Sequence, residues 1–315
     1  MVVLLKKFVY IIYTFCILLF ENLILRWFLR SPKYDKKYKI SICGIFKNEA
    51  LFLKEWIEFH EMIGVEHFYL YNNNSDDDYF SVLQPYIDRE LVTLIDWPYD
   101  QGQIKAYQNF YETYRHETQW VSFLDIDEFF CPRYDSSLID WLMKNDKYPV
   151  ILVYWKMFGS SGKLKHDINQ LVIEQYVVSW DYLYHTGKCL VNTDYDIRSF
   201  NATTHHQARV KFPLFGGLLH FTVGPANQFG WFVYNNWHLS RFYNESRTSI
   251  QINHYWSKAW DVYDKKRKMT DVYFKKNPKQ EMWYFYAHES QNRTVDYSMA
   301  RFFIQFKLKL GLYEK

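Results

Sequence analysis

Residues 38–155 alternate between short apolar runs and segments whose apolar side chains recur at helical spacing. This alternation restricts the possible folds more strongly than any other feature of the sequence. Helices of this length between strands produce right-handed βαβ units and a mainly parallel sheet flanked by helices. The sequence therefore predicts an α/β fold. The predicted strands are residues 38–46, 65–71, 91–95, 120–124 and 150–155, and the predicted helices are residues 49–63, 79–87 and 103–114.

Polar residues follow several of these predicted strands directly. Lys47 and Asn48 follow the first strand, an Asn/Asp cluster at residues 72–78 follows the second, and Asp125 and Asp127 follow the fourth. Because ligands of such sheets bind outside the carboxyl ends of the strands, we expect these loops to share one edge and form a site. Turn chemistry alone also favours Asn and Asp at residues 72–78.

Asp125 and Asp127 are separated by one apolar residue at the end of an apolar run. Two carboxylates placed in this way can reach one hard cation, and Mg²⁺ or Mn²⁺ prefers oxygen ligands supplied by one or two carboxylates, water and substrate phosphate. Such a cation stabilises the charge on a departing diphosphate. The alternative is a strand end with helix-capping acids.

Lys105, His254 and Lys258 are candidates for phosphate contacts, and His254 could instead supply a third metal ligand. Gln103 and Lys105 open a predicted helix on the same edge, although Lys105 also suits an exposed surface. His254 precedes a predicted basic helix over residues 255–268, which would place Lys258 one turn later on the same face. A structural role for His254 is the alternative.

Charge and cysteine content exclude some classes of protein. A formal net charge of +3 is too small to indicate a nucleic-acid partner. The four cysteines are far apart and form neither a zinc motif nor a dense disulfide framework. Aromatic residues make up 21% of the chain, which suits stacking on sugars but also fits a compositional bias.

The N-terminus contains an apolar run at residues 8–25 that Glu21 and Asn22 interrupt. Its length is marginal for a membrane span, so a helix lying in the membrane interface, a single span and a helix packed on the protein all stay open. Six basic residues follow the run, which predicts a cytoplasmic main domain. A single-pass type II arrangement with catalysis in the Golgi lumen is the alternative.

The order of motifs over residues 40–270 resembles glycosyltransferase family 92 and its bacterial relatives. The matching segments are Lys47-Asn48-Glu49, residues 55–60, Gly64-Val65, Tyr71-Asn72-Asn73, residues 83–87, Gln103 with Ala106-Tyr107, residues 120–129, Gly187-Lys188, His206 and Asn253-His254-Tyr255 with Lys258. One departure occurs at residues 189–192, where relatives tend to have a basic residue and a proline.

This resemblance implies a GT-A fold, a UDP-linked sugar donor, a divalent metal (Mn²⁺ or Mg²⁺) and inverting transfer. It implies that Asp125 and Asp127 hold the metal and diphosphate and that His254 lies near the metal or the phosphates. The residues that we expect to bind the donor, from the resemblance or from their place on the edge, are Lys47, Asn48, Asn72, Asp76, Gln103, Lys105, Lys188 and Lys258.

An inverting transfer needs a base on the acceptor side, and Asp181, among aromatic neighbours, is the candidate. The expected acceptor is a glycan or a lipid-linked sugar of surface polysaccharide or glycoconjugate biosynthesis. A metal-dependent sugar-nucleotide hydrolase and a non-catalytic glycan-binding module stay open. The predicted organisation is a membrane-associating helix (1–30), a linker (31–37), the GT-A domain (38–270) and a C-terminal helical extension (271–315).

Overall fold

The structure is a computed structural model that describes residues 2–201, 203–234, 247–275 and 277–312, without the side chains of residues 2–7 and residue 278. The strands are β1 (Tyr38–Phe46), β2 (His67–Asn72), β3 (Val92–Asp96), β4 (Thr118–Phe123), β5 (Glu128–Pro132), β6 (Val150–Phe158), β7 (Val178–Asn192), β8 (Asp196–Ile197), β9 (Val210–Leu214), β10 (Leu219–Val223), β11 (Ala226–Asn227), β12 (Ile250–Tyr255) and β13 (Asn292–Val295). The helices are α1 (Val2–Leu19), α2 (Ala50–Met62), α3 (Tyr79–Asp88), α4 (Gln103–Tyr114), α5 (Leu138–Met143), α6 (Val172–Gln175), α7 (Thr204–Gln207), α8 (Trp260–Arg267), α9 (Met282–Glu289) and α10 (Phe303–Lys309).

A single large sheet has the strand order β3-β2-β1-β4-β7-β6-β12-β5, with β11 paired to β6 and β13 paired to β7. The first four strands are mutually parallel, as are β6, β11 and β12, whereas β7, β5 and β13 run antiparallel to their neighbours. A smaller sheet has the order β10-β9-β8. The predicted α/β class with a mainly parallel sheet is confirmed, and so are the five strands and three helices predicted from residues 38–155.

The predicted helix over residues 255–268 is wrong at its beginning. Residues 250–255 form β12, whose six side chains are all buried, and the helix begins only at Trp260. Tertiary pairing overrides the local pattern here, because β12 is held between β6 and β5. Lys258 lies in the connecting loop with a φ of +52°, which no helical residue adopts.

Helices cover both faces of the sheet. On one face Phe59 of α2 packs edge-on against Phe129 and Phe306, with ring centroids 5.5 Å apart in both pairs. On the other face α4 places Tyr107 against Phe123, at 4.6 Å. Residues beyond 270 continue this core, since α10 contributes Phe306 and β13 pairs with β7. The domain bounds given above stay predictions.

The predicted N-terminal hydrophobic helix is present. A helix over Phe8–Trp27 is long and apolar enough to cross a membrane by length and composition, a test that some soluble core helices and signal sequences also pass. Glu21 and Asn22 face the domain: the Glu21 carboxylate accepts a hydrogen bond from the Gly224 amide, and Asn22 exchanges two hydrogen bonds with the Phe232 backbone. The two polar interruptions of the apolar run therefore attach the helix to the domain.

His60 connects α2 to the strand that follows the acidic loop. Its Nδ1–H donates to the Trp56 carbonyl at 2.8 Å, and its Nε2 accepts from the Phe130 amide at 3.3 Å. This arrangement uses the neutral ring. Complete burial lowers the pKa of His60 to about 3, because a charged imidazole would lose its hydration.

Acid should therefore destabilise the fold through His60. The unfolded chain takes up a proton near pH 6.5 and the folded chain does not, so the free energy of unfolding falls by about 2 kcal/mol between pH 7 and pH 5 from this residue alone. Urea unfolding at both pH values measures it. His60→Gln should show a decrease smaller by that amount, and equal decreases in both proteins would contradict the assignment.

Candidate active site

The acidic loop begins where β4 ends. The Leu124 amide still pairs with the Cys43 carbonyl, and the chain then turns so that the Glu128 amide donates to the Asp125 carbonyl at 3.1 Å. This turn points Asp125 toward the pocket with 34% of its side chain exposed, whereas Asp127 is 7% exposed. The carboxyl ends of β1, β2, β4, β6 and β12 share this edge of the sheet, as the sequence predicts for a site.

Lys188 forms an ion pair with Asp125 from the buried side of the pocket. Its ammonium is fully buried, 2.8 Å from the Asp125 carboxylate and 3.4 Å from Glu128. Burial alone would lower the pKa of Lys188, but the two carboxylates hold it above its usual value. Gly187 permits this position, because a Cβ there would lie 1.8 Å from the Val153 carbonyl oxygen.

Asp127 is surrounded by two lysines and a histidine. The Lys266 ammonium lies 3.1 Å from its carboxylate, Lys258 lies 3.9 Å away, and His254 Nε2 lies 3.5 Å away. Burial alone would raise the pKa of Asp127, but these neighbours hold it well below its usual value. Lys266 also contacts Glu49, at 2.7 Å. The ionised carboxylate is thus stabilised by groups that a phosphate also attracts.

Two buried polar atoms in this cluster have no hydrogen-bond partner. They are Glu128 Oε1 and His254 Nδ1, and they lie 4.0 Å apart. His254 Nε2 faces the Asp127 carboxylate, and its N–H donates to Asp127 and favours the ionised form. To bind a metal through Nε2, His254 would carry its proton on Nδ1 instead, on the side of Glu128, as in an imidazole ligand supported by a carboxylate. Burial raises the pKa of Glu128 well above its usual value, and the nearby aspartates add to this effect.

The two aspartates and His254 therefore have the chemistry of a Mg²⁺ or Mn²⁺ site. In the described part of the chain, no group of three or more His, Cys, Asp or Glu side chains is already arranged around one point. Mg²⁺ needs only one or two protein carboxylates, since water and phosphate complete its shell. In this structure each carboxylate forms an ion pair with a lysine instead: Asp125 with Lys188, and Asp127 with Lys266.

Hydrogen bonds join the loop after β1 to the loop after β2. Asn48 adopts a φ of +55°, its amide donates to Ser75 Oγ, and its Oδ1 accepts from the Asp76 amide at 2.8 Å. Asn72 Oδ1 accepts from the Ser75 amide, and its Nδ2 donates to Tyr79 and Asp96. Asn48, Asn72 and Asp76 thus come together beside the pocket without lining it, and their hydrogen bonds hold the loops in shape.

Lys266, residues 269–274, Asn277 and Lys279 form the opposite wall of the pocket. Lys47 reaches across to Thr270 at 2.8 Å, and the Gln103 amide donates to the Val272 carbonyl. Gln103 Nε2 also donates to Asp125 at 3.4 Å. Sequence reasoning missed Lys266, Lys279 and Trp155, which also line the pocket. The only signal for the two lysines was the basic stretch after residue 258.

Two of the predicted site residues lie away from this cluster. Lys105 is exposed on α4, and Asp181 is exposed on β7. Neither belongs to the described residues that line the pocket around Asp125 and Asp127. The geometry gives no support to Asp181 as base or to Lys105 as a phosphate ligand, and both assignments stay sequence predictions.

The residues that line the pocket, up to His206, all lie in a part of the chain that matches one sequence family. Residues 36–213, more than half of the chain, match the family model described as Glycosyltransferase family 92. The chain belongs to glycosyltransferase family 92. The resemblance drawn from the motifs is confirmed, and the segments that supply Lys188 and the acidic loop lie inside the matched range.

Relatives of known sequence agree with this family. A glycosyltransferase family 92 protein of Ricinus communis is 29% identical over 238 residues, which cover 74% of this chain and 38% of the relative. A beta-1,4-galactosyltransferase of Caenorhabditis elegans is 30% identical over 116 residues, covering 33% of this chain and 27% of the relative. The chain thus spans well under half the length of these relatives.

Solved structures are less similar to this chain than the relatives found by sequence. The crystal structure of S. aureus TarS 1-349 superposes on 49% of this chain and 47% of its own, with 11% identity and a TM-score of 0.35. The fold assignment accordingly depends on the strand order of this chain itself, in which β3-β2-β1-β4 form a parallel half-sheet that ends at the acidic loop.

Proposed function

We propose that this family 92 chain is a metal-dependent inverting glycosyltransferase that moves a sugar from a UDP-linked donor to a glycan or lipid-linked acceptor. The observation that carries the proposal is the acidic loop, whose Asp125 and Asp127 meet Lys188, Lys266 and His254 at one edge of the sheet. A nucleotide diphosphate needs both kinds of group, since cations bind its oxygens and carboxylates bind its metal.

In this reaction the bond from the anomeric carbon to the diphosphate breaks as the acceptor oxygen attacks from the opposite face and loses its proton to a base. A divalent metal, held by Asp125, Asp127 and His254, would neutralise charge on the leaving diphosphate. Lys266 and Lys258 lie close enough to Asp127 to attract the same phosphate oxygens. Glu128 would orient His254, and Lys188 holds Asp125 in place.

Replacing Asp127 tests the donor site. With Mn²⁺ and a saturating UDP-sugar, the wild-type chain should gain about 5 °C in Tm, because the ligand binds only the folded state. Asp127→Asn keeps the side-chain shape but removes the charge, so the gain should disappear and acceptor-free donor hydrolysis should fall about 100-fold. Asp140→Asn, on the exposed start of α5, is the matched control.

Each alternative function predicts a different result. Equal stabilisation of Asp127→Asn and wild type by the UDP-sugar would contradict the proposed donor site. A hydrolase would consume the donor at the same rate with and without an acceptor. A glycan-binding module would give the same glycan isotherm in both proteins and no response to the donor.

A line of aromatic rings supports a sugar acceptor. Trp155 lines the pocket, and its ring centroid lies 6.1 Å from Tyr184, which lies 5.6 Å from Trp180. His288 continues the line at 5.0 Å from Trp180 and stacks on Trp256 at 4.4 Å. Flat apolar faces with polar edges bind the C–H surfaces and hydroxyls of sugars. Trp155, Trp180 and His288 are buried, so we assign the partly exposed Tyr184 and Trp256 to the acceptor side.

Trp256→Ala should then weaken acceptor use alone. Loss of one aromatic contact worth about 1.4 kcal/mol raises the KM for a glycan acceptor about tenfold. Acceptor-free hydrolysis of the donor should be unchanged, which the same enzyme preparation measures. Trp283→Ala, whose side chain is 64% exposed on α9, is the control. An unchanged acceptor KM in Trp256→Ala would contradict the assignment.

A further inference from the structure

The turn between β9 and β10 and the first part of β10 carry an unusual set of exposed apolar side chains. Phe215 is 64% exposed, Leu218 81%, Leu219 48% and Phe221 39%. Two glycines with positive φ, 68° and 92°, close the turn between them. Surface turns normally place Gly, Asn, Asp or Ser at such positions, so the turn itself does not require these apolar residues. We call residues 215–221 the apolar hairpin.

The apolar hairpin lies directly beside the N-terminal helix. Phe221 stacks on Phe20 with ring centroids 5.1 Å apart, and Phe215 meets Phe28 edge-on at 5.6 Å. The helix also presents outward-facing apolar side chains. These exposed residues are Phe8, Val9, Ile11, Ile12, Phe15, Leu19, Leu23, Ile24 and Trp27. The two elements form one continuous apolar surface.

The helix lies along the domain. Thr14, Glu21 and Leu25, spaced along a single stripe, are 0–1% exposed, and Glu21 is hydrogen-bonded to the Gly224 amide. Between Thr14 and Leu25 the helix therefore has one face for the domain and one for its surroundings, whereas residues 8–13 are exposed on every side. If the outward face enters a membrane, the helix lies parallel to the membrane surface and carries the apolar hairpin to it.

Charges at the margin of this surface suit anionic lipid head groups. The Arg26 guanidinium lies over the ring of Trp231, 5.1 Å from its centroid, and Trp231 is 51% exposed. Lys211, on the strand that leads into the hairpin, is also exposed. Cations and tryptophan at the border of an apolar face are typical of elements that bind in the membrane interface.

We propose that the apolar hairpin inserts into a lipid bilayer beside the N-terminal helix, and that the two together hold the domain on one leaflet without spanning it. The occupant of this surface is the acyl region of a bilayer with anionic head groups. This inference is independent of the donor and acceptor chemistry, since none of its residues lines the described pocket at Asp125.

A fluorescent probe at Leu218 tests insertion. The full chain with Cys16→Ser and Leu218→Cys is labelled with the dye NBD, while Cys43, Cys131 and Cys189 are buried. On vesicles of phosphatidylcholine and phosphatidylglycerol, emission should shift to the blue and rise several-fold. The matched control is Ile304→Cys, 77% exposed on α10, whose probe should keep the emission seen in water.

A second variant measures how much the hairpin contributes to binding. Leu218→Glu combined with Leu219→Glu should reduce partition into the same vesicles by about tenfold, because charged groups enter the acyl region at high cost. Ile304→Glu should leave partition unchanged, and circular dichroism confirms that each variant is folded. Three results would overturn the proposal: a chain that stays in solution, a bound chain whose probe at residue 218 remains in water, and a surface that instead pairs two copies in solution.

Discussion

The buried ion pair between Lys188 and Asp125 is the interaction on which the site depends. Lys188 is fully buried, and without a partner such an ammonium would be strongly destabilising. Its presence permits three acidic side chains, Asp125, Asp127 and Glu128, to follow a buried strand within four residues. Burial raises the pKa of Glu128 well above its usual value, whereas the Lys188 ammonium acts in the opposite direction.

The opposite side of the cluster is supplied by the second half of the chain. His254 arrives on β12, between β6 and β5, and Lys266 arrives on α8 to bridge Glu49 and Asp127. The site thus forms only when β12 has entered the sheet beside the acidic loop. This dependence joins the matched region, residues 36–213, to segments that lie beyond it.

Much of the first half could be predicted, because its strands and helices have clear periods and end in recognisable polar loops. The edge of the sheet that holds Asp125 and Asn72 follows from parallel topology alone. β12 was missed because Gln251 and Asn253 look exposed in sequence, whereas in the fold Gln251 donates to Asn253 at 2.7 Å and to Asp296 at 2.9 Å. Lys266 was missed as a site residue because its partner is 139 residues away.

In the proposed function, Asp125, Asp127 and His254 bind a cation together with a nucleotide diphosphate. Electron paramagnetic resonance of free Mn²⁺ measures this directly in a titration with and without UDP. We expect one Mn²⁺ per chain, bound more tightly when UDP is present, with both effects lost in His254→Ala. Binding of UDP at equal affinity in excess chelator, with no Mn²⁺ retained by the chain, would contradict it.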